Sequence, residues 1–136
     1  MIVLVTGGFD PIHNGHIRYL KSASMLGNAL VVGLNSDRWL VRKKGIHWLD
    51  IEERIEILES IRCVDQVITF NDDDNTANKA IYHLLDKQKQ DIVFANGGDR
   101  NKDNIYEYME FKNHPRVSFA FNIGGEKINN SSSYRR

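Results

Sequence analysis

V-L-V-T-G-G-F-D-P-I-H-N-G-H, residues 3–16, holds the pattern on which the fold of this chain turns. A short apolar run ends in two glycines, an aspartate and a proline follow, and two histidines are spaced as H-x-G-H. The run reads as a buried first strand over 2–6. Beyond it, Ile17, Leu20 and Ala23 or Ser24 fall at helical spacing and predict a first helix over about 15–26. A glycine-rich strand-to-helix turn directs backbone N–H groups and a helix N-terminus at one point, which suits an anion. Gly15 lets a phosphate approach without a Cβ in the way. His13, just before the helix, and His16, in its first turn, can donate to phosphate oxygens whose charge grows in a transition state. Two solvent-exposed loop histidines, or a metal pair, are the alternatives. The stretch is neither G-x-G-x-x-G nor G-x-x-x-x-G-K-[ST], so it supports neither a dinucleotide fingerprint nor a P-loop.

The alternation that begins here continues along the chain. Residues 29–34, A-L-V-V-G-L, form the near-continuous apolar run of a strand covered on both faces, with Gly27 placed to end the helix before it. Residues 35–45 are polar and basic, a loop or short helix ending in R-K-K-G. Asp50 opens D-I-E-E, a capping-box variant, for a helix striped by Ile51, Ile55, Leu58 and Ile61. A third strand is expected over 66–70, and a helix over about 76–87 with Ala80, Ile81, Leu84 and Leu85 inward. A fourth strand over 92–95 runs into N-G-G-D-R, and a helix over about 104–112 and a strand over 117–121 follow. Strands alternating with helices imply parallel pairing and right-handed crossovers. The fold class is therefore α/β: a small Rossmann-like doubly wound parallel sheet of about five strands with helices on both faces, in one domain over 1–136. Such sheets bind ligands beyond the carboxyl ends of their strands, where strand order reverses. Both glycine pairs, Gly7–Gly8 and Gly97–Gly98, follow strands at that edge.

Composition narrows the partners. Eighteen basic and 18 acidic residues give a formal net charge of zero in 136 residues, which argues against bulk binding to nucleic acid or to an anionic membrane. The single cysteine, Cys63, lies in apolar I-R-C-V and reads as a buried thiol. The N-terminus lacks the basic region of a signal peptide, and no apolar run approaches the roughly 20 residues of a membrane helix. A soluble, cytoplasmic protein is expected.

The same residues carry a family resemblance. G-F-D-P-I-H-N-G-H resembles the G-x-F-D-x-x-H-x-G-H signature of the nucleotidyltransferase superfamily, specifically its cytidylyltransferase-like members, and the likeness extends over nearly the whole chain. N-S-D at 35–37 and R-K-K-G at 42–45 resemble segments that follow the second strand in that family. E-R at 53–54 and S-I-R-C-V-D-Q-V at 60–67 look like glycerol-3-phosphate cytidylyltransferase. N-G-G-D-R at 96–100 is closer to the K-G-G-D-Y of heptose-phosphate adenylyltransferases. S-S-S-Y-R-R at 131–136 resembles the family's I-S-S-T-x-I-R, with Asn130 where isoleucine is usual.

The resemblance implies transfer of a nucleoside monophosphate: an acceptor phosphate oxygen attacks the α-phosphorus of a triphosphate and pyrophosphate leaves. On that reading His13, His16 and Lys44 are catalytic, with Lys43 the weaker candidate for the cation. Gly7, Gly8, Phe9, Asp10 and Gly15 line the nucleotide, Gly98 and Asp99 meet its base or ribose, and Ser131, Ser132, Ser133 and Arg136 meet its phosphates. Asp10 either orients the loop or helps hold the Mg²⁺ that accompanies the triphosphate. Asp37, Arg54 and Arg62 bind the acceptor; Arg54 and Arg62, eight residues apart on the helix after Asp50, could equally form surface salt bridges. CTP is the first choice of donor, from the segment around Arg62, and ATP the second. A homodimer is implied as well. Two other readings compete: a nucleotide-binding module without turnover, and a fragment of a class I aminoacyl-tRNA synthetase. The second lacks a K-M-S-K-S-like loop and the length.

Overall fold

The computed structural model describes residues 1–125. Its strands are β1 (Ile2–Gly7), β2 (Ala29–Leu34), β3 (Gln66–Thr69), β4 (Ile92–Gly97) and β5 (Val117–Ile123). The helices are α1 (Asn14–Ser24), α2 (Asp37–Lys44), α3 (Ile51–Glu59), α4 (Asn78–Lys87) and α5 (Tyr106–Phe111). The strands form one sheet in the order β3-β2-β1-β4-β5, every pair parallel. This is the α/β doubly wound architecture expected.

Successive side chains of a strand face opposite ways, and β1 feeds two cores accordingly. Ile2 and Leu4 join Val31, Phe94, Ile81 and Phe111 under α4 and α5. Val3 and Val5 join Leu20, Val32, Leu58 and Val93 under α1 and α3. A strand covered on both faces cannot alternate apolar with polar, which is why β1 and β2 read as unbroken apolar runs.

From β1 the chain moves to β2 and β3 on one side, then crosses back to β4 and β5 on the other. The reversal lies between β1 and β4, and the Gly7–Gly8 and Gly97–Gly98 turns both stand at its carboxyl edge.

Several boundaries differ from the sequence expectation for physical reasons. Residues 35–45 do contain a helix, α2: the Ser36 hydroxyl caps it by accepting from the Trp39 amide at 3.0 Å, and Gly45 ends it at φ 83°. Gly27 does not terminate α1; Met25 holds the C-cap position. Its glycine is needed elsewhere, because a Cβ there would lie 2.4 Å from the Met1 carbonyl oxygen. Asp50 stands at the N-cap of α3 but its side chain makes no capping bond. That helix ends at Glu59, so Arg62 lies beyond it, in the turn leading to β3.

Candidate active site

Two imidazoles close the first turn of α1. His13 Nδ1 accepts from the Gly15 amide at 3.0 Å, and His16 Nδ1 accepts from the His13 amide at 3.1 Å. The pair forms a reciprocal capping box built from histidines. The rings stack with centroids 3.9 Å apart, and Phe9 meets His16 edge-on at 5.0 Å. An Nδ1 that accepts carries no proton, so the hydrogen of each neutral ring sits on Nε2 and is free to donate. Burial, and secondarily the neighbouring His13, lower the His16 pKa to about 4. His16 is therefore a neutral donor at physiological pH.

Two of the amides in the turn are not bare. The His13 and Gly15 N–H groups are engaged by the rings, so it is the imidazoles that present donors outward.

Asp10 organises the turn. Its side chain is fully enclosed, and its two oxygens accept from the Trp48 amide at 2.6 Å and the Leu49 amide at 2.7 Å. Lys44 pairs with the same carboxylate at 3.2 Å and donates to the Asp10 carbonyl at 2.6 Å. Burial pushes the Asp10 carboxyl up, but the two amides and Lys44 outweigh it and hold it below the usual carboxylate value. With its oxygens so occupied, Asp10 fits loop orientation and does not fit a Mg²⁺ ligand. Lys44, 36% exposed, keeps a third donor for a ligand. Lys43 lies over the Trp39 ring, 5.2 Å from its centroid.

Gly8 permits close packing: a Cβ there would come 2.5 Å from Leu40 Cδ2, so the Leu40 side chain of α2 would have to shift to make room. Phe9 follows at φ 50°, in the left-handed region.

The second glycine turn lies across the reversal. Tyr19 of α1 donates to the Ala95 carbonyl at 2.6 Å, fastening the histidine-bearing helix to β4, and its burial raises the phenol pKa. Gly97 is hemmed in by the Tyr19 ring and the Ile123 carbonyl, each 3.1 Å from where a Cβ would stand. Gly98 turns the chain at φ 63°, and the exposed Asp99 uses its carbonyl to accept from Asn104 Nδ2 at 2.9 Å.

A family model of cytidylyltransferase-like domains matches residues 4–134. The chain belongs to the cytidylyltransferase-like family. It is 36% identical over 106 residues to the bifunctional protein HldE of Syntrophotalea carbinolica, covering 76% of this chain and 20% of that protein. The HldE of Geobacter metallireducens is 43% identical over 106 residues, again with 76% and 20% covered. The chain thus spans about a fifth of the length of these curated relatives. The crystal structure of a lipopolysaccharide core biosynthesis protein from Thermoplasma volcanium shares the fold, with a TM-score of 0.68 at 23% identity over 89% of this chain and 94% of that one. Among the described residues, no helix is long and apolar enough to cross a membrane.

In this cytidylyltransferase-like chain, Gly7, Gly8, Phe9, Asp10, His13, Gly15, His16 and Lys44 come together at the end of β1, and Gly98 and Asp99 at the end of β4. The acceptor set does not assemble as expected. The Arg54 side chain is fully buried. It donates to the carbonyls of Leu49 at 3.0 Å, Gly8 at 2.9 Å and Asn35 at 2.8 Å, and to Asp37 at 2.5 Å. It is a positioning residue that ties the first glycine turn to α2 and α3, neither an acceptor ligand nor a surface ion pair. Asp37 is its counter-ion. Arg62 lies past the far end of α3, which at nine residues is about 13 Å long, at the amino edge of the sheet and away from the histidines. Ser131, Ser132, Ser133 and Arg136 lie outside the described residues.

Asp72 carries weight that sequence reasoning missed. Buried at 2% exposure, it accepts from the Ser36 amide at 2.8 Å, the Ser36 hydroxyl at 2.7 Å and Asn35 Nδ2 at 3.0 Å. N-D-D-D-N signals only a polar break, and nothing local marks which aspartate turns inward.

Proposed function

We propose that this domain transfers a nucleoside monophosphate from a nucleoside triphosphate to a small phosphorylated alcohol or sugar. An acceptor phosphate oxygen forms the new bond to the α-phosphorus, the bond to the β-bridging oxygen breaks, and pyrophosphate leaves. Such a reaction is driven by alignment and charge stabilisation and needs no side-chain nucleophile. The supporting observation is the pair of imidazoles locked through Nδ1, each left with an Nε2 donor, beside Lys44 at the sheet's reversal. Fixed donors cost no reorganisation as charge develops on the phosphoryl oxygens. A Mg²⁺ ion accompanying the triphosphate would supply charge neutralisation of its phosphates, and the chain's own part does not run through it.

We assign ATP as the first donor to test and CTP as the second, reversing the sequence preference. The 60–67 segment that resembles cytidylyltransferases belongs to the amino edge of the sheet. The 96–100 turn that resembles adenylyltransferases belongs to the carboxyl edge, with the histidines. With Arg54 buried and Arg62 remote, Arg100 and Lys102, both exposed in the loop after β4, are the cations we assign to the acceptor's phosphate. A cytoplasmic homodimer completes the proposal.

The test is a panel of ATP and CTP against glycerol phosphate, heptose phosphate and other sugar phosphates, read by pyrophosphate release. Release requiring both a triphosphate and a phosphorylated acceptor is the expected result. Tight nucleotide binding with no turnover for any pair would instead support a binding module.

A further inference from the structure

Behind the histidine turn, the segment from Gly45 to Asp50 doubles back along α2. It brings His47 to Asp37, at the opposite end of that helix, and to Asp50, at the start of α3. His47 Nδ1 lies 3.8 Å from Asp37 Oδ1 and 3.6 Å from Asp50 Oδ1, and one ligand atom from each of the three lies within 4.8 Å of the other two.

Two features of this trio lack an explanation among the described residues. The His47 Nδ1 atom is shielded from solvent yet has no hydrogen-bond partner among the described residues, an arrangement that polar atoms in folded proteins seldom tolerate. Asp50 occupies a helix N-cap position but its carboxylate forgoes the capping bond and faces His47 instead. Arg54 pairs with Asp37 through Oδ1, and among the described residues Asp50 has no Lys or Arg within ion-pair distance.

We propose that Asp37, His47 and Asp50 form a binding site for a divalent ion of the zinc class. One imidazole and two carboxylates are a borderline donor set that suits Zn²⁺ or Co²⁺, whereas Mg²⁺ prefers oxygen ligands and gives up its waters reluctantly. Ligand atoms around a tetrahedral zinc stand roughly 3.3 Å apart at bonds of about 2.0–2.1 Å. The two His47 distances need about 0.3–0.5 Å of closure to reach that spacing, and the wider bound of 4.8 Å on the trio is closed by Asp50, whose side chain is 65% exposed. The Asp37–Arg54 bond would orient the first ligand as outer partners of metal sites do. Three protein ligands leave a fourth position for water.

The consequence reaches the histidine turn. Trp48 and Leu49, between two of the ligands, supply the amides that hold Asp10. An ion here would fasten the segment that fixes Asp10 and, through it, Lys44. The site stands independently of the proposed transfer reaction, because it contains neither active-site histidine and is tested without nucleotide.

The experiment titrates the chelator-stripped full chain with Co²⁺, following its visible absorption, and then with Zn²⁺ in competition. One equivalent should bind, with a raised melting temperature. His47→Ala and, as an independent variant, Asp50→Asn should each weaken binding by at least about tenfold while keeping the wild-type circular dichroism spectrum. Absence of stoichiometric binding to the wild type would overturn the site and leave His47 only a neighbour of two carboxylates. Binding undiminished in both folded variants would move the ion elsewhere and overturn it equally.

Discussion

His16 does three things at once in this chain. It caps the His13 amide through Nδ1, packs against Phe9 and His13, and is left with Nε2 as a donor. Losing that donor should cost turnover at least about a hundredfold, the scale of one lost transition-state hydrogen bond. His16→Ala measured by pyrophosphate release, in protein with an unchanged circular dichroism spectrum, checks this; a near-normal rate would show the motif misassigned. The same variant reports on stability. Burial, then His13, hold the native His16 pKa at about 4, against 6.5 for the free side chain. Between those values the unfolded chain binds a proton that the native one refuses, so stability falls as pH drops through this window and is full above it. Urea unfolding at stepped pH should therefore give a shallower slope between 4 and 6.5 in His16→Ala than in the wild type.

Arg54 shows how the loops between elements are held. Its guanidinium joins the turn after β1, the turn before α2 and the segment before α3 through four bonds. Removing the charge while keeping the volume, Arg54→Met, strips three carbonyls and Asp37 of their partner. It should destabilise the fold by roughly 3–5 kcal/mol, measured by chemical denaturation. The sequence tells a mixed story about this level. Strands and their order of appearance were legible because fully covered strands are written as apolar runs such as A-L-V-V-G-L. The histidine turn was legible because glycines, a proline and H-x-G-H are all local signals. Arg54 was visible as an arginine on a helix, but its burial depends on carbonyls contributed by residues 8 and 35, which no local pattern encodes. The same holds for Asp72, whose partners Asn35 and Ser36 lie across the sheet edge. Asp50 reads as a cap from its spacing, and the structure turns it to His47 because that neighbour arrives from outside its own helix.

Across the whole sheet, strand order separates two edges, and the proposed chemistry belongs to only one of them. Parallel strands that reverse between β1 and β4 put both glycine turns at the carboxyl edge, while the chain enters β3 from the amino edge, where Arg62 lies. Spacing along α3 had grouped Arg62 with Arg54, but eight residues carry the chain from one edge of the sheet to the other. Two arginines then make a direct comparison. Arg100, exposed after the Gly98 turn, follows the carboxyl edge from which, on the proposed reaction, the acceptor would approach the histidines. Arg100→Ala should raise the KM for the phosphorylated acceptor by about tenfold, the scale of ~1.4 kcal/mol of lost contact with a phosphate. Its kcat should change little. Arg62→Ala should leave both constants within twofold of wild type (roughly 0.4 kcal/mol), because no ligand at the carboxyl edge can reach it. Steady-state kinetics on the two variants with the acceptor varied at saturating triphosphate separates them. If Arg62→Ala raised the acceptor's KM and Arg100→Ala did not, the acceptor would have to be bound across α3, and the carboxyl-edge site would be wrong as drawn.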